Sequence, residues 1–313
     1  MANLVEWGDT VRQRFTATVI GNDQILQEIL VGMLAGGHVL LEGVPGVGKT
    51  LIVKTLARIL GVGFHRIQFT PDLMPTDILG TNIFDPKSLE FQLRLGPVFT
   101  NFLLADEINR TPPRTQAALL EAMEERQVTI DGVSHPLPRP FMVFATQNPV
   151  EYEGTFPLPE AQLDRFMLKI IVPYPSAEEE AAILKLHAES GDATPEPQPL
   201  ENGLADLTEA MAAVAQIQIE DKILDYINRL IRTTRENPRL LLGASPRSGV
   251  HMVAASRAMA FLAGRDFVVP DDVKAVFLPV LRHRILLRPE AEMEGFHADE
   301  ILRQILSAVA VPR

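Results

Sequence analysis

Gly43-Val44-Pro45-Gly46-Val47-Gly48-Lys49-Thr50 fits the G-x-x-x-x-G-K-[ST] phosphate-binding loop. Its flanks agree with the motif. The apolar run His38-Val39-Leu40-Leu41 ahead has strand length, and Leu51 to Ala57 behind reads as a helix. Glycines let the backbone wrap a phosphate with its N–H groups turned inward, where a helix N-terminus adds partial positive charge. Lys49 supplies a point charge to the β- and γ-phosphates, and the Thr50 hydroxyl is placed to ligate Mg²⁺. A glycine-rich turn that only joins a strand to a helix does not call for the whole eight-residue pattern. Gly43, Val44, Pro45, Gly46, Val47, Gly48, Lys49, Thr50 and Leu51 are therefore the expected nucleotide-binding set.

Around this loop the chain has 313 residues, enough for two domains at about 100–200 residues each. With 46% hydrophobic and 22% charged residues, the composition is that of a globular protein. Lys+Arg total 29 against Asp+Glu 40, a net charge of −11, which argues against a nucleic-acid partner because phosphate backbones need a basic face. Zero cysteines exclude disulfides and Cys-ligated metal and suit the cytoplasm. The start Met1-Ala2-Asn3-Leu4-Val5-Glu6 lacks signal-peptide character, and no 18-residue apolar run is free of charge. An intracellular chain without an integral membrane segment is expected. The seven histidines show no ligand spacing and read as surface or core residues.

From about Val5 to Leu34 the pattern is helical, stopping at Gly36-Gly37. Within it, Val19-Ile20-Gly21-Asn22 is either a turn with a helix cap at Asn22 or Asp23, or an apolar surface for an adenine ring. Phe64 to Phe69 reads as a second strand. Two hairpins are expected, one across residues 83–93 and one across 128–135 around Asp131-Gly132. An amphipathic helix over residues 114–125 lies between them. Pro195, Pro197 and Pro199 mark residues 191–202 as a linker. That divides the chain into a core at 1–190 and a second domain at 203–313, in which residues 204–235, 247–262 and 271–281 read as helices.

Three further places carry chemistry. Asn101-Phe102-Leu103-Leu104-Ala105-Asp106-Glu107 is an apolar strand that ends in two carboxylates. Either they begin a solvated loop, or Asp106 holds Mg²⁺ through water while Glu107 polarises the attacking water. The strand Phe141 to Gln147 leads to Asn148, whose amide either caps the turn enforced by Pro149 or orients that water. Ser245-Pro246-Arg247 resembles a helix start, where a cation sits badly with the helix dipole. Arg247 is thus either solvated or compensated by an anion such as a γ-phosphate.

The order of these features resembles that of AAA+ ATPases. More narrowly, Ala105-Asp106-Glu107-Ile108-Asn109-Arg110, Ala118 to Glu125, Ala145-Thr146-Gln147-Asn148-Pro149 and Leu158 to Phe166 resemble the MoxR family. The resemblance runs from Val19 to about Leu287. It implies an α/β fold, with a five-stranded parallel αβα P-loop core, two β-hairpin insertions and a C-terminal all-helical lid. It places Lys49 and Thr50 in Walker A, Asp106 and Glu107 in Walker B, Asn148 at sensor 1 and Arg247 at sensor 2. Arg165 matches the arginine finger that reaches the γ-phosphate of a neighbouring subunit, and Arg110 is a second candidate for that contact. Gln68 is a candidate to hold Glu107 inactive. The implied activity is Mg²⁺-dependent ATP hydrolysis by a hexameric homo-oligomeric ring. The implied role is that of a chaperone maturing client proteins, including metal or cofactor insertion, in partnership with von Willebrand factor A domain proteins. A helicase-like DNA motor, a nucleotide-gated scaffold and a small-molecule kinase are the rivals.

Overall fold

Five apolar runs form the sheet: β1 (His38–Glu42), β2 (Phe64–Gln68), β3 (Phe102–Asp106), β4 (Met142–Gln147) and β5 (Phe166–Ile171). They are parallel in the order β2-β3-β4-β1-β5. The computed structural model describes residues 2–150, 154–190 and 196–312. Successive side chains of a strand point to opposite faces, and both faces of the inner strands β1, β3 and β4 are covered, so these read as nearly continuous apolar runs, whereas the edge strand β2 alternates and leaves His65, Arg66 and Gln68 exposed. Val39, Leu41, Phe102, Leu104 and Phe144 enter one apolar cluster, whereas Leu40, Leu103, Ala105 and Val143 enter the other. The first cluster continues without a break into Leu207, Tyr226 and Phe277 of the C-terminal region, so core and lid share packing.

Both expected hairpins are present. Gly80–Asp85 pairs with Glu90–Leu95, and Gln127–Ile130 pairs with Val133–Pro136. The second turns at Asp131 and Gly132, both with positive φ (48° and 83°), as a type I′ turn requires. Asn82 Nδ2 donates to Asp131 Oδ2 at 2.6 Å and ties the two hairpins together. Ile83, Phe84, Leu89 and Phe91 are exposed on the first of them.

Three details of the expected fold differ. The helix expected over 204–235 is two helices, Gly203–Ala215 and Asp221–Glu236, separated where Gln218 bridges to Phe267. The helical lid also carries a short antiparallel pairing of Leu240–Leu242 with Leu286–Leu287, and it ends in a helix, Ala298–Ala308, that the sequence reading did not include. Asn22 precedes the helix Asp23–Leu34 with left-handed backbone (φ 69°) and makes no side-chain cap bond; its Nδ2 donates to the Ile20 carbonyl instead. Part of the expected linker, residues 191–195, lies outside the described residues. Its remainder is tethered to the core, with Leu200 N–H donating to Ile59 O at 2.7 Å and Arg14 donating to the carbonyls of Gln198 and Pro199.

What positions the lid is a buried polar anchor at the amino end of β5. Arg284 donates to Asp164 Oδ1 at 2.7 Å and to the backbone carbonyls of Phe166 and Met167, and His283 Nε2 bonds to Phe166 O at 2.9 Å. The lid therefore packs against the amino edge of the sheet. Among the described residues no helix is long and apolar enough to cross a membrane.

Candidate active site

The phosphate loop leaves β1 at the carboxyl edge and enters the helix Lys49–Leu60. Gly46 and Gly48 have φ of 86° and 84°, which opens the loop for inward N–H groups, and an added Cβ at either would meet open space. Gly43 is required for a different reason. A Cβ there would come within 2.5 Å of Val172 O, so only glycine lets the strand end pass its neighbour. Lys49 Nζ donates to the carbonyls of Gly43 (2.5 Å) and Val44 (2.8 Å). A cleft here is lined by Pro45 to Leu51 together with Asp106, Glu107, Thr146, Gln147 and Asn148.

Strand register brings the acidic residues to this cleft. Gln68 pairs with Asp106 across β2 and β3, and Leu41 pairs with Thr146 across β1 and β4. Asp106 is buried and heavily bonded. Thr146 Oγ1 donates to its Oδ1 at 2.5 Å, while Oδ2 accepts from Arg66 Nη2 (2.6 Å), Arg66 Nε (3.0 Å) and Thr50 Oγ1 (3.3 Å). Glu107 follows with left-handed backbone, φ 57° and ψ 50°, an uncommon state for a residue with a side chain and one that concentrates at functional sites. Thr146 Oγ1 accepts from its backbone N–H at 2.9 Å and so ties the Asp106 carboxylate to the Glu107 backbone. The Glu107 carboxylate accepts from Gln68 Nε2 at 2.7 Å and pairs with Arg110 Nε at 3.1 Å. The geometry expected for Gln68 is thus present. Arg110, considered as a contact to a neighbour, engages the base of its own chain.

Both uses of Asn148 are compatible, because an amide has two ends. Its Oδ1 accepts from Val150 N–H at 3.2 Å, which caps the turn, while its Nδ2 is buried without a partner among the described residues and borders the cleft. Val19, Ile20 and Gly21 are not among the residues that line this cleft; Val19 is buried, and Gly21 packs under the Glu179 carboxylate.

Arg247 lines a pocket other than the phosphate-loop cleft. Ser245 caps the helix Pro246–Leu262 by accepting from Ser248 N–H, as expected, but the anion beside Arg247 is Glu124, at 3.0 Å, with Asp164 at 4.0 Å. The cause is the lid's anchor at the opposite edge of the sheet. A five-residue strand at about 3.3 Å per residue separates the two edges by about 16 Å. Arg165, just ahead of β5, meets the other oxygen of the same Glu124 at 2.9 Å. A second pocket there is lined by His38, Met123, Glu124, Arg165, Arg247 and His251. Burial pushes His38 down to about 4, and burial beside Arg284 and Arg247 pushes His251 down to about 3. His38 Nδ1 accepts from Val143 N–H, so its Nε2 carries the proton toward Met123 O.

Thr146, Arg66 and Glu124 had no assigned role in the sequence. The alternation of Arg66 and Gln68 on one face of β2 was the available signal for Arg66; nothing local marked Glu124 among the acidic residues around it.

The donor set of the cleft fits a nucleotide with Mg²⁺. It offers a loop with two open positive-φ glycines, one lysine, one threonine hydroxyl and one strand-end carboxylate, all hard oxygen or phosphate-binding groups. Residues 38–168 match the model described as "ATPase family associated with various cellular activities (AAA)", and residues 232–305 match the AAA lid domain. The chain is 47% identical over 305 residues to Chaperone MoxR1 of Mycobacterium tuberculosis, covering 94% of this chain and 80% of that protein. It is 32% identical to Protein MoxR of Methylorubrum extorquens over 337 residues, 99% of this chain and 98% of that one. The crystal structure of a candidate ATPase from Cytophaga hutchinsonii superimposes with a TM-score of 0.91 at 40% identity, covering 100% of this chain and 97% of that chain. Sheet order, phosphate loop, lid and these likenesses agree, and the chain belongs to the MoxR family of AAA+ ATPases.

Proposed function

We propose that this chain hydrolyses ATP with Mg²⁺ as part of a homo-oligomeric ring, a hexamer, with each catalytic site shared between two subunits. The observation that carries this reading is that Arg165 and Arg247 meet on Glu124 at the edge of the sheet opposite the phosphate loop. Arginines placed there serve a γ-phosphate in a neighbouring copy. The transition state of phosphoryl transfer spreads charge over the γ-phosphoryl oxygens, and a cation supplied in trans accelerates hydrolysis by about 10³–10⁵-fold.

Within one chain, the loop N–H groups and Lys49 cradle the phosphates, and Thr50 with Asp106 holds Mg²⁺. The chemistry such an ion would supply there is neutralisation of phosphate charge. Glu107 takes the proton of the attacking water, which Asn148 Nδ2 orients. Gln68 and Arg110 hold Glu107 back in the state described, so turnover requires that it be released. Val19, Ile20 and Gly21 contribute to the adenine side. The motion of lid and hairpins then acts on client proteins in a chaperone-like role in the cytoplasm. That role draws on the name of Chaperone MoxR1 and extends, by family resemblance, to metal or cofactor insertion and von Willebrand factor A domain partners.

The test mixes Lys49→Ala, defective in nucleotide binding, with Arg165→Ala, defective in the trans cation. Recovered phosphate release supports a shared site. No recovery, with light scattering showing co-assembly, removes Arg165 from that role.

A further inference from the structure

We infer that Arg66 is a positioning residue that couples the arrival of Mg²⁺ at Asp106 to the release of Glu107 by Gln68. The inference rests on the proposed Mg²⁺–nucleotide site and concerns how its two carboxylates communicate.

Arg66 and Gln68 are two residues apart on β2, so their side chains share a face, and register puts that face beside Asp106. The Arg66 guanidinium spans both. Nε and Nη2 donate to Asp106 Oδ2 at 3.0 and 2.6 Å, and Nη2 also donates to Gln68 Oε1 at 2.8 Å. Gln68 then turns its only donor end, Nε2, to Glu107 Oε2 at 2.7 Å. The amide orientation is therefore fixed from both sides. Its oxygen must face the cation, which leaves its nitrogen for the carboxylate.

The same guanidinium obstructs the metal. A carboxylate has about four acceptor positions over its two oxygens. Oδ2, the oxygen toward Thr50, already takes three donors, two of them from Arg66. Thr50 and this oxygen of Asp106 would hold the ion together, and to free the oxygen Arg66 would have to give up its two bonds. The side chain has room to move, being 49% exposed at the edge of the sheet, whereas that of Asp106 is 11% exposed. Once Arg66 swings away, Gln68 Oε1 loses its partner and the amide no longer has a fixed orientation toward Glu107. Metal entry and freeing of the base become one event. Without metal, Glu107 stays engaged, which suppresses unproductive attack by water.

The test measures binding of a fluorescent ADP analogue against free Mg²⁺ and in EDTA, for wild type, Arg66→Ala, Arg66→Lys and Gln68→Ala. Arg66→Ala should lower the half-saturating Mg²⁺ about fivefold, the scale of one partly exposed ion pair, with affinity in EDTA unchanged. Arg66→Lys keeps the charge that competes with metal and should stay within about twofold of wild type, and Gln68→Ala should not shift the Mg²⁺ dependence. Phosphate release supplies the second readout. Arg66→Ala and Gln68→Ala should change the basal rate by similar factors, and the double variant should add nothing beyond Gln68→Ala. An Arg66→Ala variant that folds, by circular dichroism, with unaltered Mg²⁺ dependence overturns the inference, and so do additive rate effects. If Asp106→Asn leaves the Mg²⁺ dependence of wild type intact, the proposed metal site itself falls and the inference with it.

Discussion

The two edges of the sheet handle charge differently. At the carboxyl edge, every element of the cleft comes from the core. Asp106 and Glu107 are matched by Thr146, Thr50, Arg66, Gln68 and Arg110 of the same segment. At the amino edge, the cluster is composite. Glu124 and Arg165 belong to the core, Arg247 and His251 to the lid, and one carboxylate serves two guanidinium groups. A site built within one domain keeps its geometry when the lid moves; a site built between domains does not. The first suits binding and chemistry, and the second suits control of that chemistry by assembly.

The largest effect that separates the edges should come from Arg165→Ala. Turnover should fall about 10³-fold or more while nucleotide affinity, followed by a fluorescent analogue, stays within about twofold. Matching losses of affinity and turnover would place Arg165 in the carboxyl-edge site and erase the distinction. Next in size, Glu107→Gln should reduce phosphate release by about 10²-fold or more without abolishing ATP binding, as removal of a general base does.

Acid should then attack the amino edge first. An unfolded histidine takes up a proton near pH 6.5, whereas folded His38 stays neutral down to about 4, so the unfolded state gains as pH falls below 6.5. At pH 5 the loss is about 2 kcal/mol for one such group. Thermal melts at pH 7.5 and 5 should show this drop, and His38→Gln should shrink it. The smallest effect should come from Glu124→Gln. Partly exposed ion pairs contribute about 0.2–1 kcal/mol, so turnover should change only a few-fold with nucleotide affinity unaltered. A hundredfold loss would show that Glu124 does more than position its arginines.

Legibility in the sequence followed the same division. The phosphate loop, the Asp106-Glu107 strand end and Asn148 are local: each is a strand terminus followed by a turn, and parallel packing brings such termini to one edge. Both hairpins were equally plain, because alternating runs around Asp131-Gly132 or around residues 85–90 carry their own turn chemistry. The helix start at Ser245-Pro246-Arg247 is readable locally, whereas the docking of its domain, and with it the anion that Arg247 meets, is not. That docking depends on Arg284 and His283 meeting backbone carbonyls more than a hundred residues away, a contact with no local pattern. Arg66 was missed for a related reason. Its role comes from the register of β2 against β3, and register is fixed by packing.

The backbone at Glu107 has a consequence for how such a chain drifts under selection. Left-handed geometry costs a residue with a β-carbon about 1 kcal/mol or more, and glycine escapes that cost. A library screened only for expression or heat resistance should therefore enrich Glu107→Gly, discarding the base while improving the fold. Only a screen that also demands turnover keeps the glutamate where it is.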